Sequence, residues 1–319
     1  MKQVLVSHNG GPEQLAVTEG PSSQPSKGEV LVQVEAAGIN YVDIAQREGL
    51  FELPKPYVPG VEGVGTITAL GEGVAGLKRG DRIGWVDALG SYAEFATVPA
   101  ARAIVLPRSF AIEQGLLLQA MTAQYLVHEY RDITAKDIAL VHAAAGGVGQ
   151  LLIQWLKHLG ATVIATASSE EKLQIARDRG ADEVINYRTT DFADRVHDIT
   201  QGRGVDIAYD SVGKATLLGS VASLARGGTV VSFGASSGAP PAIEPHILMA
   251  KSVRLAGGAL FAYIADPHEL QRRAKIVIDA LEAGWLKVAP ASQYTLSDAA
   301  RAHADLEGRA KHGKLVLIP

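Results

Sequence analysis

Between Asp137 and Leu260 the chain repeats one pattern: a short apolar run, a turn and a helix-length stretch of mixed polarity. No other feature constrains the fold as strongly. Strands separated by helix-length segments cannot pair through hairpins and have to close as parallel βαβ units. Asp137–Ala144 and Thr162–Ala167 read as the first two strands, with a helix over Val148–Leu159 between them. Glu183–Tyr187, Val205–Tyr209, Gly228–Phe233 and Val253–Leu260 supply four more. Six strands in this alternation predict an α/β fold with a doubly wound parallel (Rossmann) sheet in the order 3-2-1-4-5-6.

The first 110 or so residues follow a different grammar. Short runs such as Glu29–Ala36 and Val64–Leu70 are punctuated by Gly and Pro, the pattern of a compact β domain rich in turns. The change comes near Gln119. After Phe261 the chain predicts a helix over Pro267–Ala283 and then short apolar pieces ending in Lys314–Pro319, which would suit a closing strand that returns to the first domain. The predicted domains are therefore residues 1–118, 119–261 and a returning segment, 262–319. A length of 319 residues fits two domains.

Composition removes several function classes. There is no cysteine, so a disulfide, a thiolate nucleophile, an iron–sulfur cluster and a Cys-ligated zinc are all excluded. The net charge of −4 gives no reason to expect nucleic acid or an anionic membrane as partner. No apolar run reaches the roughly 18 residues of a membrane span, and the opening MKQVLVSHNGG lacks the form of a signal peptide. The expected location is cytoplasmic.

The strongest chemical signal is the run His142-Ala143-Ala144-Ala145-Gly146-Gly147-Val148-Gly149, set between a strand and a helix. As a dinucleotide fingerprint it reads Ala144-x-Gly146-x-x-Gly149, with Ala in place of the first Gly. Gly146 would let the backbone approach a pyrophosphate, and Gly149 would let helix and strand pack closely. The helix start would offer its unpaired N–H groups to the phosphates. Ala145, Gly146, Gly147, Val148 and Gly149 are the candidate phosphate-binding residues. About 20 residues on, an NAD site normally carries an acidic residue for the ribose 2′-hydroxyl. Here the chain reads Thr166-Ala167-Ser168-Ser169, with Lys172 following and Arg188 after the third strand. Hydroxyls and cations suit a 2′-phosphate, so NADPH is the expected cofactor, with Glu170 and Glu171 as the features that oppose it.

At these residues the sequence resembles the zinc-independent, zeta-crystallin-like quinone oxidoreductases of the medium-chain dehydrogenase/reductase superfamily. The resemblance spans nearly the whole chain. It rests on Gly38-Ile39-Asn40-Tyr41-Val42-Asp43, Val58-Pro59-Gly60-Val61-Glu62-Gly63, Ala88-Leu89-Gly90-Ser91-Tyr92, the Ala-rich loop, Asp210-Ser211-Val212-Gly213, and Val231-Ser232-Phe233-Gly234 with Ser236-Ser237-Gly238. It implies a GroES-like β-barrel catalytic domain interrupted by the Rossmann domain, with cofactor and substrate held between them. Zinc-dependent relatives carry Cys at the position of Asn40, His at that of Val61 and a further Cys just before Thr122, so the resemblance implies no metal here. It places Asn40 and Thr122 beside the nicotinamide as the candidate catalytic residues. It also implies cofactor contacts at Tyr187, at Phe233, Gly234 and Ala235, and at Gly258 and Leu260. Asp43 is expected to hold the Asn40 turn. Relatives commonly have Tyr where this chain has Ala45, and near Phe51, which puts the substrate in question.

The reading that results is a metal-free NADPH:quinone reductase delivering hydride to a quinone or α,β-unsaturated carbonyl, working as a homodimer paired through the edge strand at Val253–Leu260. Two alternatives stand beside it: an enoyl or alkenal reductase of the same superfamily, and a cofactor-binding, non-catalytic protein of the crystallin or RNA-binding kind.

Overall fold

Parallel pairing orders a six-stranded, helix-flanked sheet as Glu183–Asn186, Thr162–Ala167, Ile138–Val141, Val205–Asp210, Leu224–Ser232 and Arg254–Gly257. Counted along the chain this is 3-2-1-4-5-6, the order that the alternation predicts. The structure, a computed structural model, describes residues 1–21, 24–309 and 311–319. Both faces of this sheet are covered, so its central strands run apolar without alternation; every residue of Val205–Asp210 is buried. Leu140, Ile164, Val205 and Val230 from the strands pack with Phe192, Val196, Leu217 and Val221 from the helices.

Several predicted boundaries change, and the first strand, predicted over Asp137–Ala144, spans only Ile138–Val141 before the glycine-rich loop begins. The fifth strand starts earlier, at Leu224. The sixth ends at Gly257, opposite Ser232, the last residue of its neighbour. The ladder stops there because its partner stops, and Leu260–Tyr263 turns into a short helix rather than continuing as strand. Leu260 is accordingly buried as a helical residue.

Lys2–Leu5 and Ala16–Glu19 pair as a two-stranded antiparallel sheet, and the remaining strands form a seven-stranded, mainly antiparallel sheet in the order Ser292–Thr295, Leu315–Ile318, Glu29–Ile39, Glu62–Leu70, Arg82–Val86 and Ala103–Val105, with Phe95–Pro99 paired to Glu29–Ile39. Glu29–Ile39 is long enough to change partners along one edge: Glu29–Gln33 pairs with Phe95–Pro99, while Ala37–Ile39 pairs with Leu315–Leu317. That exchange, with register shifts at Leu31/Val32 and Val34/Ala36, bends the sheet and brings the C-terminal residues beside Asn40. The chain divides into two compact units: Met1–Leu118, Ala265–Ile278 and Val288–Pro319 form one, and Gln119–Ile264 with Asp279–Lys287 the other. Among the described residues no helix is long and apolar enough to cross a membrane.

Candidate active site

The glycine-rich loop leads from Ile138–Val141 into the helix Gly147–His158. Its N-cap, Gly146, has no side chain to accept a hydrogen bond, so the first-turn N–H groups of Gly147, Val148 and Gly149 are left for a ligand or water. The tight residue of the turn is Ala143, with φ +49°, rather than Ala144 or a glycine. Its carbonyl accepts the Gly146 N–H at 2.8 Å, and Ala144 N–H is held by Thr166 O at 3.1 Å. Gly149 lies so close beneath the turn that a Cβ there would sit 2.4 Å from Ala143 O. Gly149 thus serves close packing, as the fingerprint requires, whereas Gly146 has an ordinary φ of −71°.

Parallel register brings the ends of two strands together: Asn186 lies opposite Ala167, and Tyr187 N–H donates to Ala167 O at 3.2 Å. Ser168, Lys172 and Tyr187 therefore share one end of the sheet, each partly exposed. Ser169 caps the following helix, accepting from Lys172 N–H at 3.4 Å. The carboxylate of Glu170, which opposes a 2′-phosphate on paper, is paired with Arg177 instead.

Two loops follow the next strands and are laced to each other. Ser236 and Ser237 N–H donate to Ser211 O and Val212 O at 3.1 and 2.9 Å, and Ser237 Oγ donates to Val212 O at 2.7 Å. Gly234 packs on the Ser211 backbone, where a Cβ would come within 2.9 Å of the carbonyl. Phe233, Gly234 and Ala235 are thus presented by a braced loop. Gly258 is braced as well: Tyr125 donates to its carbonyl at 3.0 Å, and Tyr130 lies where a Cβ would be. Tyr125 and the buried Thr122 both belong to the helix Leu118–Glu129.

In the first unit Asn40 is the N-cap of the helix Tyr41–Glu48. Its backbone N–H donates to Asp43 Oδ2 at 2.7 Å, so Asp43 holds the turn. The side chain of Asn40 does not cap the helix. Its Oδ1 accepts from Lys314 Nζ at 2.8 Å, and its Nδ2 donates to Glu62 Oε2 at 3.0 Å. Lys314 also pairs directly with Glu62, and Glu62 is wholly buried. Gly38 makes room: a Cβ there would be 2.1 Å from Glu62 Oε2 and 2.7 Å from Lys314 Cε.

Behind Asp43 runs a second buried chain. Arg47 can only donate, so His303 Nδ1 accepts from it (3.1 Å), and His303 Nε2–H is left to donate to the Tyr92 oxygen (3.0 Å). The Tyr92 hydroxyl then donates to Asp43 Oδ2 at 3.3 Å. Burial pushes the Asp43 carboxyl up to about 7, against the lowering effect of the Asn40 N–H and the Lys314 charge. Burial pushes His303 down to about 3, with the Arg47 charge acting in the same direction. Gly60, with φ +94°, has its missing Cβ position filled by Ser91 and Tyr92, which is why the Pro59-Gly60 and Gly90-Ser91-Tyr92 motifs occur together.

Glu62, Lys314, His303 and Tyr92 escaped the reading of the sequence as site residues. The available signal was a charged residue inside an apolar run, at Glu62 in Val61–Val64 and Lys314 before Leu315–Ile318.

A doubly wound dinucleotide-type sheet, a glycine loop opening onto an uncapped helix and a separate antiparallel unit define the class of medium-chain dehydrogenase/reductases. Residues 26–108 match the alcohol dehydrogenase GroES-like domain and residues 147–276 the zinc-binding dehydrogenase domain. The chain belongs to the quinone oxidoreductase family of that superfamily and is an oxidoreductase. It is 39% identical to quinone oxidoreductase 1 of Escherichia coli, covering 98% of this chain and 97% of that one. The solved E. coli quinone oxidoreductase complexed with NADPH superposes with a TM-score of 0.96 at 38% identity, over 100% of both chains. A 2-haloacrylate reductase of Burkholderia is 36% identical over 99% of this chain and 98% of its own.

Proposed function

We propose that this chain is an NADPH-dependent, metal-independent reductase that transfers hydride to a quinone or an α,β-unsaturated carbonyl. The observation that carries the reading is the uncapped helix start at Gly147, Val148 and Gly149, combined with a second-strand end occupied by Ser168 and Lys172. Amide N–H groups at a helix N-terminus bind pyrophosphate, and a hydroxyl with a lysine suits a 2′-phosphate. The cofactor complex of the E. coli relative supports the same assignment.

In this reading Ala145 to Gly149 hold the pyrophosphate, while Ser168, Lys172 and Tyr187 hold the adenosine phosphate. Phe233, Gly234, Ala235, Gly258 and Leu260 border the nicotinamide ribose. Asn40 and Thr122 are the nicotinamide-facing residues. The domain assignment of 1–118, 119–261 and 262–319 belongs to the same reading, supported by the two compact units. Bound NADPH supplies a hydride from the nicotinamide ring. The chain's own contribution is to orient the ring and acceptor and to offer hydrogen bonds to the oxygen on which charge develops. The proton comes from water or a pocket hydroxyl.

The 2-haloacrylate reductase relative favours a second reading, in which an activated alkene is the preferred acceptor. One assay separates them. NADPH oxidation is followed with 1,2-naphthoquinone, a simple enone and 2-chloroacrylate, each with and without a chelator. A chelator-insensitive rate with the quinone supports the first reading, and a preference for the alkenes supports the second. If no acceptor speeds oxidation of NADPH, both are withdrawn. The homodimer is tested separately by light scattering, where a mass of 33.5 kDa counts against it.

A further inference from the structure

We infer that Lys314 is a positioning residue for the reductase: through its buried pair with Glu62 it fixes which end of the Asn40 amide faces the nicotinamide site. The inference rests on the proposed role of Asn40 beside that ring, but the geometry behind it belongs to one unit and to atoms already in place.

The orientation follows from chemistry alone. An ammonium only donates, so the Asn40 atom 2.8 Å from Lys314 Nζ is oxygen. A carboxylate only accepts, so the atom 3.0 Å from Glu62 Oε2 is nitrogen. The second Nδ2 proton points to Gly38 O at 3.4 Å. Both donors of the amide are therefore engaged within the protein, and what Asn40 still offers is a lone pair on Oδ1. Asn40 is an acceptor for a ligand N–H or O–H, such as the carboxamide of the nicotinamide, and it is not a donor to an oxyanion. Turning the amide over would set two donors against each other at Lys314 and two acceptors at Glu62. The pair is itself locked: Glu62 Oε1 accepts from Leu118 N–H at 2.7 Å, and Gly38 lets both side chains lie against the strand. Asp43 holds the Asn40 backbone independently of Lys314, so loss of the lysine frees the amide without unwinding the helix start.

The test uses the full chain. K314M alone strands a buried carboxylate and lowers stability, so the informative variant is K314M/E62Q, which removes both charges, with K314R as the conservative control. In the cofactor-free protein, the Asn40 side-chain amide protons exchange slowly with solvent; K314M/E62Q should speed that exchange and K314R should restore it. With NADPH, K314M/E62Q should lose about a hundredfold in kcat, the scale of a small misplacement of a reacting group, while the NADPH Kd set by the phosphate loop changes little. K314R should regain most of the rate. Unchanged amide exchange with wild-type kcat in K314M/E62Q overturns the inference, as does a rate loss that K314R shares in full. A wild-type chain that never oxidises NADPH sinks the proposed function instead, and the exchange measurement still decides the role of Lys314.

Discussion

At the scale of single residues, the phosphate loop shows what a one-letter code conveys and what it withholds. Gly149 was legible because only the absence of a side chain permits a helix to lie 2.4 Å, measured from a virtual Cβ, from Ala143 O. G149A should therefore displace the turn, weakening NADPH binding at least about tenfold in a fluorescence titration and lowering Tm, since a backbone clash cannot be relieved by a rotamer change. An unaltered Kd would show that the loop does not hold the phosphates. The left-handed residue was not legible, because alanine carries no mark of positive φ; the sequence pointed to Ala144 and the turn falls on Ala143. A left-handed Ala costs roughly 1 kcal/mol, so A143G should be neutral or stabilising by up to about that amount, whereas A143V, with its branched Cβ, should be clearly destabilising. Equal Tm for the two variants would contradict the strain. Lys172 completes the residue scale. If it meets the 2′-phosphate, K172A should raise the NADPH Kd about tenfold or more, the worth of one charged hydrogen bond, and leave NADH binding unchanged. Equal losses for the two cofactors would return Lys172 to the ordinary helix surface.

At the scale of elements, strand number and order were readable because βαβ alternation has few solutions, whereas the ties between strand ends were not, because they join residues far apart in the chain. His142 shows this. Its Nδ1 accepts from Thr166 Oγ1 at 2.8 Å, its Nε2–H donates to Ser220 Oγ at 2.9 Å, and Ser220 donates to Asp210 Oδ2 at 2.7 Å. Asp210 also gathers the N–H groups of Val212 and Gly213 and the Thr216 hydroxyl at 2.8–2.9 Å. All four of His142, Thr166, Asp210 and Ser220 are buried. This network fastens the ends of three neighbouring strands, and with them the glycine loop, the Ser168 end and the Ser211–Gly213 loop. The loops at the strand ends were legible as elements, while the hydrogen bonds that tie them together run through a histidine that spacing alone marks as nothing. S220A leaves one donor and one acceptor buried without partners, so it should cost about 1–3 kcal/mol of stability in denaturant unfolding. S220T would test geometry rather than chemistry, since it keeps the hydroxyl. A loss below about 0.5 kcal/mol for S220A would mean that the network contributes little.

At the scale of the whole molecule, the two units carry different sets of buried titrating groups and should answer acid differently. In the second unit burial lowers the affinity of His142 for a proton below that of the unfolded chain, whose histidine takes one near 6.5. Below about pH 6.5 the unfolded state therefore gains a proton that the folded unit refuses, and stability falls as the pH falls. The first unit contains the same effect at His303, lowered from 6.5 to about 3, but also its opposite at Asp43, raised from 3.8 to about 7. Between about pH 4 and 6.5 the folded first unit keeps a proton on Asp43 that the unfolded chain has released, and declines one on His303 that the unfolded chain has taken up. The two contributions oppose each other there, so the first unit should be nearly level while the second loses stability as the pH falls through that window. Hydrogen exchange, corrected for intrinsic rates, should then show protection of Thr162–Ala167 falling between pH 7.5 and 5 while that of Glu62–Leu70 holds. H303Q removes one half of the balance. Its amide can still accept from Arg47 and donate to Tyr92, so the variant should fold, with a stability deficit at pH 8 that narrows as the pH drops below 6.5. Equal acid loss in both units, or a deficit in H303Q that widens toward low pH, would show that Asp43 and His303 do not offset each other.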